Sequence, residues 1–327
     1  MLRKEMLSFM IELSVIIPHY NSVKSLQRLV DSIPAKDEVE VIVVDDVSSE
    51  GLDELQALQS TNQSKQVKLF ENDTGNKGAG ACRNIGLQHA QGKWVLFADS
   101  DDFFVGDFYQ HVRKFFASDY EVVFFKPTSV EVDTGEKSDR HLFFERLTTN
   151  FLEKKDLKSE TYLRYSFSVP WSKLIRRDFL LQHTIGFDEV LVSNDVMFST
   201  EVGYHMEKFH VSNEIIYCVT RNRGSLTTKT SVQVYDTRLM VFINYHHFLR
   251  ARLSKREWKL LNLDGRQIFL NAIKYRFSVR KILSVYLQLR RNKVKVLDSK
   301  FVNPFFVLKR SYTHYAQYKK EKRYLVK

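Results

Sequence analysis

The chain has 327 residues, of which 43% are apolar and 13% aromatic, enough for a large core in one or two domains. Its 5 prolines and 12 glycines, set among so many aromatic residues, exclude a disordered chain. No uninterrupted apolar run approaches the ~20 residues of a membrane-spanning helix. The net charge of +11 is uneven: residues 231–327 hold 23 Lys and Arg against 5 Asp and Glu, which leaves 27 basic and 34 acidic residues in 1–230. The two parts are therefore expected to have different partners.

The cysteines and the N-terminal residues indicate where the protein is located. Cys82 and Cys218 have neither CxxC nor metal-ligand spacing, which favours a reducing, cytoplasmic setting. Residues 1–18 loosely resemble a signal peptide, but Glu5 and Glu12 interrupt the apolar run and no small-residue cleavage site follows. We interpret this stretch as a lead-in to the first strand.

Apolar strands alternate with helical patterns through the first hundred residues. Strands are predicted at 13–17, 39–46 and 67–72 and in "KWVLFADSDD", with the helical segments "VKSLQRLVDSI", "GLDELQALQS" and "AGACRNIGLQHA" between them. This alternation predicts a parallel α/β sheet that is covered on both faces. Such sheets bind ligands beyond the carboxyl ends of their strands, where "PHYN", "DD" and "DSDD" lie in this sequence.

The rest of the chain is less regular at first and then helical. A strand is predicted within 120–133, a charged loop at 133–141, and short strands and helices over 169–229. From about residue 232 the pattern is helical and poor in glycine, and residues 298–327 alternate aromatic with basic side chains. No internal repeat is present.

Asp99, Asp101 and Asp102 follow a strand so closely that they must repel one another. A divalent cation would remove this repulsion, because Mg²⁺ and Mn²⁺ take carboxylate and phosphate oxygens. Capping of the next loop or helix is the alternative, and it is the better interpretation for an isolated "DSDD". At the end of a strand in a parallel sheet, the metal site is favoured.

Four other polar features have more than one interpretation or argue against a particular site. Asp45 and Asp46 could accept hydrogen bonds from a ribose or a base, or could simply form a strand-end turn. The turn "GNKGAGACRNIG" has GxxGxG spacing after the third strand, which argues against a nicotinamide-cofactor site. Arg83 lies near a helix N-terminus, where a cation is unfavourable unless an anion is close. Asp195 could serve as a helix cap.

Seven motifs together resemble the family 2 glycosyltransferases of the GT-A fold, in the order the family has them. They are "LSVIIPHYN", "VEVIVVDDVSSEG", "NKGAGACRNIGL", "KWVLFADSDDFF", "VPWSKLIRRDFL", "VSNDVMFS" and "RNRGSLT", within residues 12–228. The resemblance implies a Rossmann-like, mostly parallel sheet flanked by helices. It implies a nucleotide-sugar-binding half at 1–105 and an acceptor-binding half at 106–230, followed by a helical basic region at 231–327 that lies outside the resemblance.

The resemblance also implies roles for individual residues. Asp195 would be the catalytic base, and Asp99 and Asp101 would form the DxD motif that contacts the ribose and the metal-bound diphosphate. The metal, Mn²⁺ or Mg²⁺, would be held by Asp101, Asp99 and Asp102. The nucleotide sugar would contact Pro18, Tyr20, Asp46, Arg83, Asp99, Ser100 and Asp101, and the acceptor side would include Trp171, Lys173 and Asn194. The segment from Arg223 to Leu226 matches "R-x-G-S" near the end of the catalytic domain.

Two positions depart from the family pattern. Asn194 replaces the usual glutamate before the base, and Val47 replaces the glycine of "DDGS". The first change would alter the surroundings of the base, but it leaves the essential carboxylate in the chain. A processive synthase is not expected, because "QxxRW" and transmembrane helices are both missing.

These features predict an inverting transfer of one sugar from a nucleotide donor, expected to be a UDP-sugar, to a bacterial surface glycan such as capsule or lipopolysaccharide. A nucleotidyltransferase and a non-enzymatic glycan- or nucleic-acid-binding module are the alternatives. The basic region 231–327, rich in aromatic and aliphatic residues, suits helices on an anionic membrane surface. A helical domain that mediates oligomerisation is the other interpretation, and nucleic acid is not expected as a partner. The predicted location is the inner face of the bacterial cell membrane.

Overall fold

The computed structural model describes residues 10–221 and 231–296, which divide into two compact units. Within the described residues, the first unit comprises 10–128 and 141–220. The second comprises 129–140, 221 and 231–296. The first unit holds the sheet, and the second is mostly helical.

The strands belong to one sheet. They are β1 (Leu13–His19), β2 (Val39–Asp45), β3 (Val67–Glu71), β4 (Trp94–Phe97), β5 (Phe103–Phe104), β6 (Val122–Glu131), β7 (Lys173–Arg176) and β8 (Phe209–Arg221). Their order is β3-β2-β1-β4-β7-β6-β8-β5. The first four strands pair in parallel, whereas β7 pairs antiparallel with both β4 and β6, and β5 pairs antiparallel with β8. The predicted α/β sheet is confirmed, with an antiparallel half beyond β4.

Helices cover this sheet and build the second unit. Those of the first unit are α1 (Val23–Asp31), α2 (Leu52–Thr61), α3 (Ala79–His89), α4 (Phe108–Arg113), α5 (Leu142–Lys154), α6 (Leu157–Ser166), α7 (Arg177–Gln182) and α8 (Asp195–His205), with a short 3-10 turn at Gln63–Lys65. Those of the second unit are α9 (Val232–Arg252), α10 (Lys255–Leu261), α11 (Arg266–Lys274) and α12 (Val279–Arg291). The predicted helical C-terminal region is therefore confirmed over its described residues.

The register of the parallel strands gathers the polar strand ends at one edge. β1 and β2 are buried along their whole length, which explains their near-continuous apolar sequences. Glu40 of β2 is fully buried and compensated by hydrogen bonds from the Ser14 hydroxyl and the Lys68 ammonium. His19 at the end of β1 pairs with Asp45 at the end of β2, so the motifs after these strands start side by side.

The second unit has its own apolar core. Its buried side chains come mainly from α9, α11 and α12 and include Tyr235, Leu239, Ala272, Val285 and Leu289. The Tyr235 hydroxyl donates to the Ile268 carbonyl at 2.7 Å, which ties α9 to α11. Over the described ranges, no helix is both long and apolar enough to cross a bilayer.

Candidate functional site

The loop after β4 is held by hydrogen bonds to its backbone. The Asp101 carbonyl accepts from the Arg28 guanidinium of α1 and from the Thr220 hydroxyl of β8, at 2.5 and 2.7 Å. The amide of Asp99 donates to the Tyr217 hydroxyl at 2.8 Å. Because these bonds use main-chain atoms, they fix the loop without using the carboxylates of the DxD pair.

Asp102 has a different environment from the other two acids of the cluster. Its side chain is 2% exposed, accepts from the Thr220 amide at 2.7 Å and is hydrogen-bonded by the Tyr217 hydroxyl. Burial raises the pKa of Asp102 well above its ordinary value, and the neighbouring charges of Asp101 and Asp99 raise it further. Its carboxyl is directed to β8, so a share in metal binding stays a prediction, and the structural contacts are the better supported part of its function.

Arg83 joins the two acidic motifs. Its side chain is 5% exposed and donates to an Asp99 carboxylate oxygen at 2.5 Å and to the Asn194 amide oxygen at 2.9 Å. The guanidinium carbon also lies 5.3 Å from the centre of the Phe187 ring. A cation in the first turns of α3 is thus explained by the carboxylate that it pairs with, as the sequence suggested.

The approach of α3 to the segment before α8 requires glycine. A Cβ atom on Gly80 would lie 2.2 Å from the Asp188 carbonyl oxygen, a distance at which the backbone would have to move. One turn further along α3, the Asn84 side chain accepts from the Phe187 amide and donates to its carbonyl. Gly80 and Asn84 both belong to a motif that was recognised in the sequence. Their partners lie about a hundred residues away along the chain, so these contacts were not predictable.

Asp195 is the first residue of α8 and is half-buried. Burial raises its pKa, Arg83 opposes that rise, and the Asp99 carboxylate adds to it. Lys173 also lowers the pKa of Asp195. Four separate motifs therefore contribute to one electrostatic environment, through Asp195, Asp99, Arg83 and Lys173.

Asn194 completes this environment at the position where the family usually has glutamate. It is 8% exposed and accepts from Arg83. A neutral amide here makes the hydrogen bond to the guanidinium without adding a negative charge next to Asp195. A glutamate in the same place would raise the pKa of Asp195 by repulsion.

The ends of β1 and β2 form a hydrogen-bonded cluster that sequence reasoning missed. His19 is 1% exposed; its Nδ1 lies 2.8 Å from an Asp45 carboxylate oxygen and its Nε2 accepts from the Ser22 amide. Asp45 also accepts from the amide and the hydroxyl of Ser48. Asp45 is thus a turn-forming residue, one of the two alternatives left open by the sequence.

Asp46 connects β2 to the glycine-rich turn. Its two carboxylate oxygens accept from the Asn72 side chain at 2.7 Å and from the Gly78 amide at 2.8 Å. A carboxylate has about four lone-pair positions, so these two bonds leave capacity for a further donor. Contact with a base remains a prediction that this geometry allows.

The remaining nucleotide-site candidates lie at the same edge of the sheet. Tyr20 is 52% exposed directly after β1, while Pro18 is buried within that strand. The Ser100 hydroxyl is 3.0 Å from the Ser22 hydroxyl at the start of α1. The Tyr20 ring, exposed at the same edge of the sheet as the DxD loop, is available to stack on a planar ligand.

Both acceptor-side candidates of "VPWSK" are buried. Trp171 is 5% exposed and stacks on Tyr217 with ring centres 5.6 Å apart. Lys173 is 1% exposed, donates to the Phe167 carbonyl at 2.6 Å, and has its pKa lowered to about 7 by burial. Acceptor contact by these side chains stays a prediction, since both are packed inside the first unit. Residues Arg223 to Leu226 lie outside the described residues.

Sequence comparison agrees with the site geometry. The profile of the family described as "Glycosyl transferase family 2" matches residues 14–183, more than half of the chain. The chain belongs to this family. The resemblance found in the motifs is thereby confirmed.

Two curated relatives illustrate the range of the family. The poly(ribitol-phosphate) beta-N-acetylglucosaminyltransferase TarS of Staphylococcus aureus is 28% identical over 236 residues, which cover 69% of this chain and 39% of TarS. The putative glycosyltransferase EpsH of Bacillus subtilis is 21% identical, and the match covers 75% of this chain and 71% of EpsH. The chain thus spans about two fifths of the length of TarS.

Solved structures match the fold. Residues 1–349 of S. aureus TarS in complex with UDP-GlcNAc superpose with a TM-score of 0.64 at 22% identity, covering 96% of this chain and 89% of that one. The mannosyltransferase PcManGT of Pyrobaculum calidifontis, in complex with GDP-Man and Mn²⁺, gives a TM-score of 0.53 at 16% identity over 96% and 85% of the two chains. The GT-A fold predicted from the motifs is confirmed.

Three residues beside the site adopt a left-handed backbone that L-amino acids avoid. Val47 follows Asp46 with φ +58°, Ser172 precedes Lys173 with φ +58°, and Ser193 precedes Asn194 with φ +61°. Val47 is the most unusual because it is β-branched. Its conformation explains why the family pattern has glycine at this position.

We expect Val47→Gly to leave the free energy of unfolding unchanged or to raise it by up to about 1 kcal/mol. Relief of the left-handed strain, roughly 1–2 kcal/mol, outweighs the entropy that glycine adds to the unfolded chain. Urea denaturation measures the change. The matched control is Val132→Gly, since Val132 is similarly exposed (39% against 44%) and has no positive φ, so its loss of stability should be plain. Equal losses in both variants would contradict the strain.

Proposed function

We propose that the protein is an inverting glycosyltransferase that moves a sugar from a nucleotide donor, a UDP-sugar, to a hydroxyl of a bacterial surface glycan. The observation that carries the proposal is the Arg83 bridge, which connects Asp99 of the DxD pair to Asn194, the neighbour of Asp195. The donor assignment is supported by the TarS fold match, since that protein is solved with UDP-GlcNAc and with UDP. The names of TarS and EpsH support the transfer of a sugar to an acceptor.

Asp195 is the proposed general base. Partial burial raises its pKa above the ordinary value, which makes its carboxylate a stronger proton acceptor near neutral pH. Arg83 and Lys173 oppose this rise in pKa. The carboxylate would take the proton of the acceptor hydroxyl as that oxygen attacks the anomeric carbon, which has oxocarbenium character in the transition state. Attack from the face opposite the leaving group inverts the configuration.

The nucleotide sugar would be bound by the polar residues at the strand ends. Asp46 and Tyr20 would contact the base, with Pro18 bordering the same pocket. Ser100 and Arg83 lie beside the DxD acids, where a diphosphate would meet both a hydroxyl and a guanidinium. Because Arg83 is preorganised by its bond to Asn194, its position would require little adjustment on donor binding.

The carboxylates of the DxD pair fit a divalent cation that also binds oxygen atoms of the substrate. Across the described ranges, no group of three or more His, Cys, Asp and Glu side chains could hold a metal alone. Mg²⁺ and Mn²⁺ are typically bound by one or two carboxylates plus substrate phosphates, an arrangement that Asp99 and Asp101 can supply. The cation would neutralise charge on the departing diphosphate. Mn²⁺ in the structure of PcManGT is consistent with this arrangement.

Asp195→Asn should lower glycosyl transfer by about 10²- to 10⁴-fold, the usual contribution of a general base. The stability of this variant at pH 7 should equal or exceed that of the wild type. The pKa of Asp195 is raised in the folded state, so this carboxyl favours folding at low pH and disfavours it once the pH rises and the group ionises. Asparagine carries no charge, so the variant does not have this cost at pH 7. Transfer to a glycan from a panel of sugar nucleotides, with urea denaturation, measures both. Asp178→Asn, an exposed acid in the first turn of α7, is the control. Near-normal turnover in Asp195→Asn would rule out the base.

Metal removal tests the DxD proposal. Excess EDTA should reduce transfer at least a hundredfold, and added Mn²⁺ or Mg²⁺ should restore it. Asp101→Ala should lose activity that metal cannot restore, because a ligand and a negative charge are both missing. Asp107→Ala, an exposed acid with no side-chain cap bond, is the matched control. Undiminished transfer in EDTA would contradict a metal-assisted reaction.

We extend the proposal to the second unit, which would lie on the anionic inner surface of the bacterial membrane. Val279, Leu283 and Leu287 are spaced four residues apart on α12 and are 82%, 55% and 42% exposed. The same helix carries Arg280, Lys281, Arg290 and Arg291 and no acid. An exposed apolar stripe on a basic helix is the pattern of interfacial membrane binding, with attraction to anionic lipids added to apolar burial.

Vesicle co-sedimentation tests this surface. The full chain should bind vesicles that contain phosphatidylglycerol and should bind pure phosphatidylcholine weakly. Leu283→Gln with Leu287→Gln should reduce binding at least tenfold, since two buried leucines contribute about 1.5–3 kcal/mol each at full burial. Leu181→Gln with Leu191→Gln, about 49% and 50% exposed in the first unit, is the control. Equal binding by both double variants would contradict the α12 surface, and a change in oligomeric state alone would favour the oligomerisation alternative.

A further inference from the structure

The second unit contains a cavity that the proposed transfer reaction does not use. Its volume is about 430 Å³, within the range of sites for small molecules. It lies between the last turn of α9, the end of α10 and the segment after α12. It is lined by His246, His247, Arg250, Trp258, Lys259, Asn262, Leu263, Asn292, Lys293 and Lys295.

The charge of this lining is one-sided. Arg250, Lys259, Lys293 and Lys295 supply four formal positive charges, and none of the described lining residues is acidic. Basic residues near helix C-termini often only complement the helix dipole. Three helix ends here would contribute about −0.5 charge each, which is less than half of the positive charge present. The cavity is therefore a net attractor of anions.

His246, one of the lining residues, has a buried polar atom without a hydrogen-bond partner among the described residues. The side chain is 4% exposed, and its Nδ1 has no hydrogen-bond partner among the described residues. Burial, with His247 and Arg250 adding repulsion, lowers the pKa of His246 to about 4. A buried imidazole nitrogen without a partner is uncommon in native structures. In the tautomer that carries its proton on Nδ1, this nitrogen would donate to an oxygen of a bound anion.

The walls of the cavity are fixed before any ligand arrives. His247 Nε2 lies 3.1 Å from the Asn292 carbonyl, which can only accept, so this nitrogen carries the proton and ties α9 to the segment after α12. The Arg250 guanidinium carbon lies 5.1 Å from the centre of the Trp258 ring, and the His246 ring meets the same indole edge-on at 5.0 Å. These contacts orient a cation and two rings around one space.

We propose that this cavity is a binding site for a phosphate ester. Four cations and an unpaired imidazole nitrogen match the multiple charges and acceptor oxygens of a phosphate group. Trp258 and Leu263 offer apolar surface to the carbon side of the ester. The volume suits one small headgroup and is too small for a polymer segment of many residues. A soluble molecule and a lipid headgroup are the two sources of such an ester, because the recognising chemistry is the same.

The site is tested with the full-length protein and two soluble probes, inorganic phosphate and glycerol 3-phosphate. Each should cause a saturable change in the fluorescence of Trp258 at ionic strength matched with chloride, and Trp258→Phe should remove that signal. Trp94 and Trp171 are buried in the first unit, so they form a constant background. In NMR titrations, the pKa of His246 should move upward when phosphate is present, because a bound anion stabilises the imidazolium.

Charge variants separate a built site from general attraction. Lys259→Gln with Lys295→Gln should weaken binding of both probes at least tenfold. Lys255→Gln with Lys274→Gln removes the same charge from exposed positions of α10 and α11 outside the cavity and should change binding less than twofold. Thermal unfolding verifies that all variants are folded. Equal weakening by both pairs, or no saturable signal with either probe at 50 mM, would overturn the proposal.

Vesicles distinguish the two sources of the ester. Glycerol 3-phosphate competing with vesicles that contain phosphatidic acid for the Trp258 signal would assign the site to a lipid headgroup. Saturation by the soluble probe with no Trp258 response to those vesicles would assign it to a soluble ester. Both results support the phosphate site. Neither depends on glycosyl transfer, which is measured separately, so a failure here leaves the proposed reaction untouched.

Discussion

The buried guanidinium of Arg83 is the interaction on which the arrangement of the site depends. A charged group this far from solvent is stable only when it is paired, and Asp99 and Asn194 provide the partners. Asp99 belongs to the loop after β4 and Asn194 to the segment before α8, so one side chain sets the distance between the acids proposed to hold the leaving group and the acid proposed as base. Gly80 allows this because no side chain there separates α3 from the Asp188 carbonyl.

The acids of the site divide into two classes by what they contact. Asp45 and Asp102 are buried and hydrogen-bonded to neighbouring amides and hydroxyls, so they shape loops. Asp99 and Asp195 are only half-buried and lie beside Arg83, so they remain within reach of a ligand. The same residue type thus supports the scaffold at one position and the proposed chemistry at the next. Strained residues such as Val47 beside these acids fit the tendency of functional sites to hold unfavourable backbone conformations.

The two units have separate cores and differ in the sign of the charge that predominates, which suggests that they have different functions. The first unit carries the strand-end acids, and the second carries exposed basic and apolar positions on α12 and a basic cavity around Trp258. An acidic centre suits a cation and a diphosphate, whereas a basic helical unit suits phosphate-bearing or membrane-bound molecules. The chain would then combine donor chemistry in one unit with recognition of an anionic partner in the other.

The α/β architecture, the polar strand ends and the family could all be predicted from the amino-acid sequence, because strand periodicity and motif order are local properties of the chain. It also indicated that an anion lies near Arg83, since a cation at a helix N-terminus is unfavourable without one. The partners themselves, Asp99 and Asn194, are seen only in the folded chain. The antiparallel half of the sheet, the support of the acid loop by Thr220, and the burial of Lys173 arise from contacts between residues distant in sequence. Local pattern cannot specify such contacts, because they depend on how all the elements pack at once.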